Sequence, residues 1–141
     1  TAELAAAHAV AAGVDPGTAY VGALLHNVGE YALFCHACSQ GAPVTAQELA
    51  VASEQHHEAI GRALAERWQL PDPYPGLCGA HHRGDPEASE EERTLRSLVV
   101  ACWARAIAEG YTYLPGQRAD EHSALSRSMF DTLGVATEDR R

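Results

Sequence analysis

The chain has 141 residues, 46% of them apolar, with 10 basic residues against 19 acidic and a net charge of −9. That length suits one domain whose core needs neither disulfides nor a structural metal. A strongly acidic surface repels phosphate backbones, which excludes nucleic acid as a natural partner, and without a run of about 18 apolar residues no membrane span is expected.

Ala-rich residues from Thr1 to Ala12 read as a helix, with Gly13 as its stop. Asp15-Pro16 is a cap followed by proline at the first helical position, and predicts a helix over residues 16–27 with Tyr20, Val21, Leu24, Leu25 and Val28 as its apolar stripe. Gly29 is expected to break or bend the chain before a short helix from Glu30 to about Ser39, closed by a turn at Gly41-Ala42-Pro43. Thr45 and Glu48 fit a capping box that opens a helical stretch to about Gln69. Ser53 is a candidate cap for a second piece of it, and Ile60, Leu64 and Trp68 form its inward stripe.

Pro71, Pro73 and Pro75 predict a rigid connector, then one short helix from Gly76 to about His82 and a polar loop over residues 83–88. Ser89 and Glu92 form a second capping box at the start of a helix through Leu95, Leu98, Val99, Cys102 and Ile107 to Gly110. Residues from Tyr111 to Asp120 read as irregular, and a last amphipathic helix carries Leu125, Met129, Phe130 and Leu133. No alternating strand pattern occurs, so the expected class is all-α, a compact bundle of about six helices.

Cys35, Cys38, Cys78 and Cys102 lack the spacing of a disulfide framework and read as reduced thiols of a cytoplasmic protein. Cys35 and Cys38 are spaced C-x-x-C, but no second pair follows at zinc-ribbon spacing, and Ser39 stands where haem attachment would need histidine. No secretory signal is legible, and a chain that starts at Thr1 is expected to be processed or a fragment.

The histidines carry the chemistry. Of eight, five fall in three places: His26, the pair His56-His57, and the pair His81-His82. On a helical period His26 shares a face with Ala19, Gly22 and Ala23, whose small side chains let another helix approach. His57 shares one with Ile60, Gly61, Leu64 and Trp68, while His56 is rotated about 100° toward the edge. Imidazoles converging from separate helices can ligate a transition metal through neutral nitrogens; each alone reads first as a core histidine bonded to a carbonyl or as one exposed at a helix end. Gly-rich phosphate loops and a G-x-S-x-G nucleophile elbow are both absent.

Taken in order, Gly22-Ala-Leu-Leu-His-Asn-Val-Gly29, His57-x-x-x-Gly61 with Trp68-x-Leu-Pro71, and His81-His82 resemble the HDOD domain of bacterial signalling proteins, over residues 1 to about 110. That family is a branch of the HD phosphohydrolase superfamily, related to the HD-GYP domains. The resemblance implies that residues 1–141 are a single domain, the C-terminal portion of the family domain. It also implies that His26, His57, His81 and His82 occupy positions where active relatives hold metal.

Two departures argue against catalysis. Asn27 stands where the superfamily's doublet has aspartate, and its neutral amide cannot bridge two cations. The late aspartate should fall between Val99 and Ile107, where Cys102 and Trp103 stand and no acid occurs. The family's earlier histidine falls upstream of Thr1, and His8 is poorly spaced to replace it.

The expected function is therefore a non-catalytic output or scaffold domain of bacterial signal transduction, acting on other signalling proteins and requiring no cofactor. The alternatives are a metal-dependent phosphohydrolase with a one-metal histidine site, or a metal or ligand sensor on the same cluster. A single divalent transition metal is the most that His26, His57 and one or both of His81-His82 are expected to hold. Self-association is also expected if apolar surface is exposed.

Overall fold

A computed structural model describes residues 1–41, 43–111 and 119–136. Among the described residues seven helices follow one another: α1 (Ala2–Ala9), α2 (Pro16–Leu25), α3 (Val28–Ser39), α4 (Ala46–Arg67), α5 (Tyr74–Ala80), α6 (Glu90–Ala108) and α7 (Ala119–Thr132). Among the described residues there is no strand, so the class is all-α. The expected turn at Gly41-Ala42-Pro43 and most of the irregular stretch from Tyr111 lie outside the described residues.

The capping chemistry read from the sequence is present. Asp15 accepts from the Thr18 amide at 2.7 Å, and both capping boxes close, Thr45 with Glu48 and Ser89 with Glu92. Each satisfies backbone N–H groups that a helix start leaves without partners. Ser53 caps nothing: it is buried inside an unbroken α4 and donates to Glu30 Oε1 at 2.6 Å.

Which faces are buried differs from the apolar stripes of the sequence. On α2 the buried residues are Ala19, Gly22 and Ala23, while Tyr20, Val21 and Leu24 are exposed. On α4 the inward face is Ser53, His57, Glu58, Gly61 and Ala65; Trp68 is exposed, and Ile60 and Leu64 are only partly covered. On α7, Phe130 and Ser126 are buried while Leu125 is exposed. The physical reason is close approach. Helix faces made of Gly, Ala and Ser let backbones come together and turn larger neighbouring side chains outward.

The apolar core lies between α1, α2, α6 and α7, with Leu77 of α5 joining it. Its largest fully buried side chains are Phe130, Leu95, Leu98 and Val99. Helix α3 packs on α4, and α4 on α5, beside this core.

Gly29 is not a helix break. It sits in the first turn of α3, where an added Cβ would lie 1.9 Å from the His57 carbonyl oxygen and 2.6 Å from the Gly61 nitrogen. At Gly61 a Cβ would in turn lie 2.8 Å from the Cys78 carbonyl oxygen. Two glycines thus bring α3, α4 and α5 into backbone contact, and the histidines ride on those helices. The break between α2 and α3 falls instead at His26-Asn27: His26 ends α2, and Asn27 (φ −100°, ψ 19°) is the N-cap of α3. Helix α5 also starts earlier than Gly76, with Pro75 inside its first turn, where a proline's missing N–H costs no helical bond.

Candidate histidine centre

His26, His57 and His81 arrive from three places in the fold and are oriented in one way. The His26 Nδ1–H donates to the Ala23 carbonyl at 2.7 Å, the His57 Nδ1–H to that of Ser53 at 2.6 Å, and the His81 Nδ1–H to that of Leu77 at 3.2 Å. A carbonyl can only accept, so in each neutral ring the proton sits on Nδ1 and the lone pair on Nε2. These are bonds to the ring's own helix, three or four residues back, so each ring is held against its helix.

The free nitrogens converge. Nε2 of His57 and of His81 are 3.3 Å apart. Ligand atoms of His57, His81 and His82 all lie within 4.8 Å of one another. His81 meets His26 edge-on with ring centroids 5.3 Å apart, and His57 likewise at 5.0 Å. The buried Nε2 of His26 has no hydrogen-bond partner.

His26, His57 and His81 are buried and His82 is exposed. Burial disfavours the charged ring: it lowers His26 to about 4 and His81 to about 2, with the neighbouring histidines adding to the shift. His82 is lowered too, by desolvation of the side that faces the cluster and by His57, against the opposing pull of Glu58 and Glu30.

Two neutral Nε2 lone pairs facing each other at 3.3 Å are relieved by a cation between them, and buried imidazoles with their second nitrogens fixed on carbonyls suit a divalent transition metal. The donor set thus fits one such ion, held by His57, His81 and His82. His26 meets this set at its edge, ring to ring with His81. Asn27 is buried at the α2–α3 joint, and its side chain makes no capping hydrogen bond.

Two buried carboxylates escaped the sequence reading. Glu58 accepts from the His82 amide at 2.7 Å, lies 3.9 Å from His81 Nδ1 and pairs with Arg83 at 3.5 Å. It thereby ties the end of α5 to α4. Glu30 is buried and takes the Ser53 hydroxyl proton. The one sequence sign for Glu30 is its place one helical turn after His26, with no arginine before Arg62 to pair it. Neither acid belongs to the group of converging ligand atoms.

Trp103 of α6 stands where the family's late aspartate was expected. It meets His82 on one side, with ring centroids 5.2 Å apart, and His122 of α7 on the other at 5.1 Å. Beside the cluster, a cleft of about 580 Å³ is lined by His26, Asn27, Trp103, Leu24 and Tyr31 among others. Cys78 and Cys102 are buried, with thiols pushed up to about 11 and about 12 by desolvation, and so are unreactive. Cys35 and Cys38 are exposed and free.

The HDOD domain family matches the chain over residues 1–84, from α1 to just beyond the His81-His82 pair. Neither the curated proteins nor the solved structures gave a match to the chain. With more than half of the sequence matched, and with the order His26, His57, His81-His82 gathered into one centre, this chain belongs to the HDOD domain family.

Proposed function

We propose that this chain is a non-catalytic signal-transduction domain of the bacterial type that works by binding another protein. The observation that carries this reading is the composition of the histidine centre: among the described residues its converging ligand atoms come from His57, His81 and His82, with no carboxylate in that group. A two-metal phosphohydrolase needs carboxylates that bridge its cations, and the acid beside these imidazoles, Glu58, is taken up by the His82 amide and Arg83. Asn27 adds no charge, and on α6 the indole of Trp103 takes the place of an acid against His82. The exposed apolar side chains of α2 are surface of the kind that protein partners cover.

A second reading is favoured by one specific feature. The Nδ1-anchored rings of His57 and His81 leave their Nε2 atoms 3.3 Å apart beside His82, which suits a single bound transition metal and hence a sensor rather than an enzyme. When bound, such an ion would supply local positive charge and Lewis acidity at His57, His81 and His82.

One experiment separates these readings. The protein is purified without chelator, its metal content is measured, and turnover of a generic phosphodiester and of cyclic dinucleotides is assayed. Neither metal nor turnover is expected for the scaffold. Metal without turnover selects the sensor, and metal with turnover overturns the non-catalytic reading.

A further inference from the structure

We propose that Cys35 and Cys38 of α3 form a metal site separate from the histidine centre, a two-thiolate clamp for a single copper(I) ion. Both thiols are free and exposed, one helical turn apart on α3, while the other two cysteines, Cys78 and Cys102, are buried. Burial is the ordinary place of a free cysteine, so packing accounts for Cys78 and Cys102 and not for the exposed pair. This inference does not rest on the reading of the histidine centre.

Spacing selects the chemistry. Side chains three residues apart on a helix have Cβ atoms about 5–6 Å apart, whereas a disulfide needs them at about 3.5–4.5 Å. Closing that bond would distort a helix that runs unbroken from Val28 to Ser39. An ion between the sulfurs spans the larger gap, because two metal–thiolate bonds of roughly 2.3 Å hold sulfurs as much as about 4.6 Å apart. A redox pair also needs one sulfur activated by a helix N-terminus or by an adjacent Lys or Arg. Cys35 and Cys38 lie toward the carbonyl end of α3, where the His36 carbonyl accepts from the Ser39 hydroxyl at 2.7 Å and from the Gln40 amide at 3.2 Å. The first Lys or Arg of the chain is Arg62.

The number of ligands selects the ion. Zinc takes four, and among the described residues no third histidine, cysteine or carboxylate converges on this pair. His36 lies between the two in sequence, but its position on α3 is turned about 100° from Cys35 and about 160° from Cys38. Two thiolates without a third ligand suit a soft cation that is stable in linear coordination, and thiolate is a ligand type that selects copper(I). From Pro16 to Gln47 the only charged residue is Glu30, which is buried, so α3 offers no exposed carboxylate to draw a harder ion. On binding, two S–H bonds are exchanged for two Cu–S bonds and both protons pass to solvent.

Anaerobic titration of the reduced chain with copper(I), against a chromogenic copper(I) chelator, tests the proposal. At one equivalent, one ion per chain is expected to be held, with only sulfur in its coordination shell by X-ray absorption. Cys35→Ser and Cys38→Ser should each lower the affinity by about a hundredfold or more, since a tethered second ligand raises affinity by roughly 10²–10⁴-fold. Both positions are exposed, so far-UV circular dichroism and the thermal midpoint should be unchanged in either variant. The zinc content of the two variants should equal that of the unaltered chain. Copper(I) held as tightly by the double variant Cys35→Ser/Cys38→Ser overturns the proposal, as does a nitrogen coordination shell or one ion shared between two chains. Zinc lost from both variants overturns it as well.

Discussion

His26 and His81 are held neutral by burial, at about 4 and about 2, against an ordinary value of 6.5. The folded state therefore binds protons later than the unfolded chain does. As pH falls below 6.5, the unfolded state takes up protons first and stability is lost. The loss continues until the folded-state values are reached, at roughly 1.4 kcal/mol per pH unit for each ring. His82, lowered in the same direction, adds to it. Denaturant titrations at pH 7 and pH 5 are expected to show a clear fall in unfolding free energy; a flat profile would mean that these rings are hydrated and charged in the folded protein. At this scale the sequence made the residue types and their inward faces legible. It did not show that each Nδ1 is committed to a carbonyl of its own helix, because that depends on ring orientation within a packed junction.

The α3–α4 pair shows how one residue sets the relation of two elements. Gly29 reads in sequence as a break, since glycine is unfavourable inside helices. Its place in the fold is instead a contact with the backbone of α4, where a Cβ would fall 1.9 Å from the His57 carbonyl oxygen. Gly29→Ala must push α3 away from α4 and is expected to cost about 3 kcal/mol or more, a large loss for one methyl group. Chemical denaturation measures it directly. A loss below about 1 kcal/mol, no more than an ordinary surface change, would show that the two helices can slide apart freely.

Capping boxes and most helix boundaries were legible because they rest on chemistry within four residues. The buried faces of α2, α4 and α7 were not. Large apolar residues mark a core only where there is room for them, and here the tight helix contacts use small residues while Tyr20, Leu24 and Trp68 face outward.

Across the whole molecule, the matched family region and the folding unit have different extents. The match ends at residue 84, yet Leu95, Leu98, Val99 and Cys102 of α6 and Phe130 of α7 fill the core against α1 and α2. A chain cut after residue 84 would uncover Ala5, Ala9, Ala19, Ala23 and Leu77 together. It is expected to lose cooperative thermal unfolding and to bind a hydrophobic dye. A sharp transition at the midpoint of the full chain would show that α6 and α7 are dispensable.

By itself the sequence determined the all-α class, the order of the helices, their caps, and the three places from which histidines enter. Each of these follows from local periodicity, local hydrogen bonding or a motif's order along the chain. Only the tertiary structure decided that His57, His81 and His82 share one centre while His26 touches its edge, that Glu30 and Glu58 are buried beside them, and that Trp103 closes the side where an acid was expected. The reason is distance along the chain. His57 and His81 are 24 residues apart, and their meeting at 3.3 Å depends on two glycines that bring three backbones together, a contact without a signal in the local pattern of either helix.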